Sequence, residues 1–121
     1  MGRRPASHGA GIVLVTPESA IGEKFQLFLN QLKSAQQLDR IVIDECHVVL
    51  NDQLGFRRKL QRIGELNRTG VQMVLLTATL PPRMEGKLWD RMQFAADKIT
   101  MFRSQTTRTN IAYRLYRTSV E

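Results

Sequence analysis

The sequence predicts an α/β fold, a three-layer parallel sheet with helices on both faces. Three observations carry that expectation. Short β-branched runs alternate with longer helical stretches, the helical stretches carry one-sided apolar stripes, and each of the first three runs ends in a polar cluster. The runs are Ile12-Val13-Leu14-Val15, Ile41-Val42-Ile43 and Met73-Val74-Leu75-Leu76. All are apolar without alternation, the pattern of a strand covered on both faces.

In chain order, residues 1–11 read as a disordered basic lead-in, with Pro5, three glycines and almost no bulky apolar side chain. Ile12–Val15 is the first strand, stopped by Thr16-Pro17. From about Ile21 to Ala35, Phe25, Phe28, Leu29 and Leu32 recur at helical spacing. Ile41–Ile43 is the second strand. Arg57 to Leu66 predicts a helix with Leu60, Ile63 and Leu66 on one face, ending near Gly70. Met73–Leu76 is the third strand. Pro81-Pro82 suits a helix start, and Met84, Leu88 and Met92 continue a stripe through it. Ile99–Phe102 predicts a fourth strand, residues 105–109 a polar linker, and Ile111–Tyr116 one further strand.

A chain of 121 residues points to one domain at most. Its 18 Lys and Arg against 11 Asp and Glu give a net charge of +7, which suits a phosphate-rich partner or, more plainly, a solvated basic surface. One cysteine excludes an internal disulfide, and two His with one Cys do not make a structural zinc site. No apolar run approaches the ~20 residues that span a bilayer. The expectation is a soluble intracellular protein with no membrane partner.

In parallel sheets the active crevice lies at the carboxyl ends of the strands. Three clusters sit there: Thr16-Pro17-Glu18, Asp44-Glu45-Cys46-His47 and Thr77-Ala78-Thr79. Asp44 and Glu45 leave a strand tip in different directions. One can hold Mg²⁺, directly or through water, while the other orients and deprotonates an attacking water, the two tasks of phosphoryl transfer. Either could instead cap a helix. His47 can hydrogen-bond to a neighbouring strand tip. Thr77 and Thr79 can bridge His47 or the carboxylates, or form a simple turn in which Thr79 caps the next helix. Thr16 can bind a nucleic-acid phosphate, or serve as an N-cap with Pro17 in the first turn, or both. Cys46 reads as a small buried filler.

Ile41-Val42-Ile43-Asp44-Glu45-Cys46-His47 resembles motif II of superfamily 2 helicases, the Walker B box in a DECH form. Leu76-Thr77-Ala78-Thr79 resembles motif III in the Thr-Ala-Thr form of RecQ-type DNA helicases, and Val15-Thr16-Pro17-Glu18 a motif that contacts one nucleic-acid strand. Phe102-Arg103 and Arg108-Thr109-Asn110-Ile111-Ala112-Tyr113 resemble the RecQ passage into a second RecA-like domain, with Thr109 in place of the usual Pro. The similarity runs over roughly residues 12–116 and extends to RecQ-like helicases of filamentous fungi, including telomere-linked copies.

The resemblance implies part of a RecA-like P-loop NTPase domain over residues 12–104. Residues 105–121 would be the linker and first strand of a second RecA-like domain. It implies ATP-dependent 3′-to-5′ unwinding of DNA, nuclear localisation, and roles in recombination and repair. It assigns Mg²⁺ to Asp44 through water, water activation to Glu45, and coupling to His47 and to motif III (Thr77, Ala78, Thr79). DNA-strand contact falls to Thr16, Pro17 and Glu18. The 121 residues contain no Gly-x-x-x-x-Gly-Lys-Ser/Thr, and Gly22-Glu23-Lys24 does not fit it. ATP and Mg²⁺ are therefore expected to bind only when that phosphate loop is supplied, and the chain alone is expected to be inactive. The aromatic-rich loop after motif II is not recognisable in Val48 to Phe56; only Phe56-Arg57 matches. Two alternatives are a non-catalytic nucleic-acid-binding remnant and part of a DEAH-type RNA helicase, the latter disfavoured by Thr-Ala-Thr where RNA enzymes usually carry Ser-Ala-Thr.

Overall fold

The computed structural model describes residues 11–51 and 62–117. Its centre is a pair of parallel strands, β1 (Arg40–Ile43) and β2 (Gln72–Leu75), in the register Ile41↔Met73 and Ile43↔Leu75. Strand residues alternate between faces. Ile41, Ile43, Met73 and Leu75 therefore share one face, which packs against the core. Val42 lies on the other face and is 50% exposed.

Helices cover the core-facing side. Helix α1 (Pro17–Ala20) is a single turn, and α2 (Glu23–Ser34) places Leu29 in the core with Phe25 packed against it. Residues Arg62–Thr69 form a 3-10 helix that buries Ile63 and Leu66. Gly70, at φ +73°, ends it in a left-handed conformation that glycine adopts without steric penalty. Pro82–Met84 is a 3-10 turn leading into α3 (Glu85–Met92). Leu88 and Met92, each 1% exposed, follow the i, i+4 stripe and are among the most buried side chains. Gly64 lies so close to α3 that a Cβ there would meet the Arg91 carbonyl oxygen at 2.1 Å.

Two of the expected strands form, and they are parallel. The helix expected over Arg57–Leu66 falls partly outside the described residues; its described part, from Arg62, is 3-10 rather than α. The lead-in at residues 1–10 also lies outside them.

Ile12–Val15 is not a strand. It carries no ladder hydrogen bonds, and Ile12 and Leu14 are 78% and 92% exposed. Ile99–Phe102 and Ile111–Tyr116 are likewise irregular, and Phe102 is 93% exposed. The physical reason is common to all three. An isolated apolar run gains nothing from extended geometry without a neighbouring strand to pair its backbone. Among the described residues only β1 and β2 are paired, so the layer count expected from the sequence reduces here to a two-stranded sheet with helices.

Candidate active site at the tips of the paired strands

The ladder between β1 and β2 continues one step past both strands, with an irregularity. Leu76 N donates to Ile43 O at 2.9 Å. In a regular parallel ladder the next donor to Leu76 O would be Glu45 N. Instead Cys46 N donates to it at 3.0 Å. One extra residue is therefore accommodated at Asp44-Glu45, which makes the tip a β-bulge, a device common beside active sites. Glu45 pays for the bulge with a left-handed backbone, φ 52° and ψ 44°. That conformation costs a non-glycine residue about 1–2 kcal/mol. Its displaced N–H donates to Asp44 Oδ1 at 2.8 Å. The bulge leaves both carboxylates exposed while Cys46 turns into the core at 1% exposure.

A 3-10 turn, Cys46–Leu50, follows and swings His47 back over the β2 tip. His47 Nδ1 lies 2.8 Å from Thr77 Oγ1 and 3.4 Å from Glu45 Oε2. An ionised carboxylate only accepts hydrogen bonds. The Thr77 hydroxyl already donates to Thr79 O at 3.3 Å. Both neighbours therefore favour a proton on Nδ1, with Nδ1–H donating to Thr77 Oγ1. Thr79 N closes the turn by donating to Thr77 Oγ1 at 3.1 Å. Ala78 and Thr79 are exposed, and Thr77 is half-buried.

The structure displaces the titration of Cys46. Burial pushes its thiol above the ordinary value, and the carboxylates of Glu45 and Asp44 add to the rise against a lowering backbone hydrogen bond.

Thr16-Pro17-Glu18 is built differently. Thr16 caps α1: its Oγ1 accepts from Ser19 N at 3.3 Å and donates to Ser19 Oγ at 3.0 Å, with Pro17 first in the helix. Among the described residues, no hydrogen bond or ion pair joins this cluster to the other two. The structure thus brings the Asp44–His47 and Thr77–Thr79 clusters together and leaves Thr16–Glu18 apart.

One further contact has no signal in local spacing. Arg103 donates to Leu80 O at 2.9 Å and to Glu85 Oε1, reaching the residue directly after Thr79.

Among the described residues no group of three His, Cys, Asp or Glu side chains could hold a metal ion. Magnesium does not need such a cage, since it keeps several waters and uses one or two carboxylates together with substrate phosphates. Asp44, exposed and with its Oδ1 accepting from Glu45 N, fits that donor set.

Two parallel-strand tips are thus joined by a histidine, one of them carrying paired carboxylates, and sequence comparison names the class of the chain. The DEAD/DEAH box helicase family matches residues 3–86, and the chain belongs to that family. The family implies a RecA-like α/β fold, nucleic-acid binding, and general use of ATP and Mg²⁺.

Among curated relatives, ATP-dependent DNA helicase Q5 of Rattus norvegicus is 30% identical over 104 residues, covering 84% of this chain and 11% of that protein. The same-named protein of Mus musculus is 30% identical over 104 residues, covering 84% of this chain and 10% of that protein. The chain therefore spans about a tenth of the length of these relatives. No solved structure matches it. No helix among the described residues is long and apolar enough to cross a membrane.

Proposed function

We propose that these residues form the hydrolytic edge of a RecQ-like, ATP-dependent 3′-to-5′ DNA helicase. The observation that carries this reading is the His47–Thr77 hydrogen bond beside the exposed Asp44-Glu45 bulge. It joins the carboxylate tip to the neighbouring tip at the place where a hydrolytic event would have to be reported onward. The similarity to DNA helicase Q5 supports DNA over RNA as the substrate. In this reading the two-stranded sheet belongs to a larger three-layer RecA-like sheet. Residues 12–104 are part of the ATP-binding domain, and residues 105–121 lead into a second such domain. A nuclear site of action, recombination and repair, and kinship with telomere-linked fungal helicases belong to the same proposal.

The chemistry divides among the residues. Bound Mg²⁺ would supply charge neutralisation on the nucleotide phosphates. Asp44 would hold it through water. Glu45, exposed on the bulge, orients and deprotonates the attacking water. His47 Nδ1–H lies near Glu45 Oε2 and Thr77 Oγ1, so the position of the base is tied to the β2 tip. Thr77, Ala78 and Thr79 pass that position to neighbouring structure. Thr16, Pro17 and Glu18 contact one DNA strand at the start of α1.

Positioning of the phosphates supplies most of the rate in phosphoryl transfer, and these 121 residues hold no phosphate loop. The purified chain is therefore expected to show no ATP hydrolysis above background, with or without DNA. DNA-stimulated hydrolysis that Glu45→Gln abolishes would refute that expectation.

The net charge of +7 supports a second reading, a nucleic-acid-binding module without catalysis. Its signature is a DNA affinity that falls steeply and linearly on a log–log plot as salt rises. In a longer parent protein, strand displacement on DNA and not on RNA duplex separates the DNA helicase from a DEAH-type RNA enzyme.

A further inference from the structure

Arg103 is attached to the strand-tip network by polar contacts and one step of backbone. Its Nη1 donates to Leu80 O at 2.9 Å, and Leu80 directly follows Thr79. Thr79 bonds to the Thr77 hydroxyl through both its backbone N and its O, at 3.1 and 3.3 Å. Thr77 Oγ1 is 2.8 Å from His47 Nδ1, which is 3.4 Å from Glu45 Oε2. The other arm of Arg103 donates to Glu85 Oε1 at the start of α3. That helix is anchored in the core by Leu88 and Met92 at 1% exposure each. A planar guanidinium holds two acceptors in a fixed relative geometry, as an ammonium does not.

The surroundings argue that the contact positions rather than stabilises. The Arg103 and Glu85 side chains are 40% and 28% exposed, and ion pairs this accessible contribute little to folding. Met101 and Phe102 beside Arg103 are themselves exposed, so no apolar anchor holds this segment near α3. Arg103 also lies just before residues 105–109, the polar linker.

We infer that Arg103 is a positioning residue: it clamps the Thr77–Leu80 turn onto α3 and thereby holds Thr77 Oγ1 against His47. The catalytic consequence, that a pull on the linker changes the placement of Glu45, rests on the proposed function. The positioning itself does not.

The test is nuclear magnetic resonance on the 121-residue chain, reading the His47 ring nitrogens and exchange of the Thr79 amide. A His8→Gln chain assigns the His47 signals, and the Met92 methyl reports the fold. Arg103→Ala is expected to shift the His47 tautomer balance away from Nδ1–H. It should also speed Thr79 exchange about three- to tenfold, the effect of losing one hydrogen bond. Arg103→Lys keeps one donor for Leu80 O but loses the second arm to Glu85, and is expected to bring both readouts only part of the way back toward the parent. The inference is overturned if Arg103→Ala leaves both readouts unmoved while Met92 stays native. It is equally overturned if Met92 moves and Arg103→Lys proves as severe as Arg103→Ala. Neither readout involves nucleotide. A parent helicase whose hydrolysis survives Glu45→Gln would remove the proposed function and leave this role standing.

Discussion

The two faces of the β1–β2 pair differ sharply. On one, Ile41, Ile43, Met73 and Leu75 pack under Leu29, Ile63, Leu66, Leu88 and Met92. On the other, Val42 stands half exposed. Composition already separates them: the covered face carries four apolar side chains, and the open face carries Arg40 and Gln72 beside Val42 and Val74. The helical core residues pack against the apolar side. The strand-tip site meets the covered side at Cys46, which is buried in the core. Its exposed part is held by backbone and side-chain hydrogen bonds from Cys46, Leu76, His47 and Thr77.

The largest expected effect tests this asymmetry. Leu88→Ala removes a fully buried side chain and should cost about 2–5 kcal/mol, a large share of the stability of a small domain. Val42→Ala, on the open face, should cost less than about 1 kcal/mol. Urea unfolding of both variants gives the ratio directly. Equal losses would mean that the Val42 face is covered in solution.

Gly64→Ala comes next. Its Cβ has no room beside the Arg91 carbonyl, which is backbone and cannot swing away. The Arg62–Thr69 segment and α3 would have to separate, at about 1–3 kcal/mol. A neutral substitution would show that the two elements do not approach this closely.

Thr77→Val tests the tip. It keeps the shape and deletes the oxygen that His47 and Thr79 share. The expected loss is about 0.5–1.5 kcal/mol, with Thr77→Ser close to the parent. A shift of the His47 ring nitrogens in the Val variant and not in the Ser variant ties the loss to the hydroxyl. If both variants shift the ring alike, the hydroxyl is not what holds it.

How much of this was legible in the sequence follows the range of the interactions. Helix α2 follows from the spacing of Phe25, Phe28, Leu29 and Leu32, all within one element. The β1 and β2 runs, their parallel pairing and the polar clusters at their tips follow from local composition and connection length. Non-local facts do not follow. Ile12–Val15 has as strong a strand composition as Ile41–Ile43, and only a hydrogen-bonding neighbour distinguishes them. The bulge at Glu45 carries no glycine or asparagine to announce its left-handed backbone. The Arg103–Glu85 pair spans 18 positions with no periodicity to reveal it. The switch from α to 3-10 over Arg62–Thr69 also escapes local reading, since it coincides with the close approach of Gly64 to α3.

The smallest effect is confined to alkaline pH and lies at Cys46, where the covered side meets the exposed carboxylates. Burial, then the charges of Glu45 and Asp44, hold its thiol protonated beyond the ordinary value of 9.0. The folded chain thus keeps a proton that the unfolded chain releases first. As pH climbs past 9.0 the unfolded state binds fewer protons than the native one, so stability falls with rising pH. The contribution is intact below that value and is lost as pH climbs through the folded thiol's own pKa. Cys46→Ala should flatten this alkaline decline in unfolding curves taken across the range. An unchanged slope would assign the decline to other groups. A thiol reagent offered at neutral pH gives an independent measure, because the 1% exposed sulfur should react at the rate of unfolding rather than at the rate of a free thiol. Rapid labelling of the folded chain would show that the bulge opens toward the core, and that the exposed tip and the buried side do not move independently.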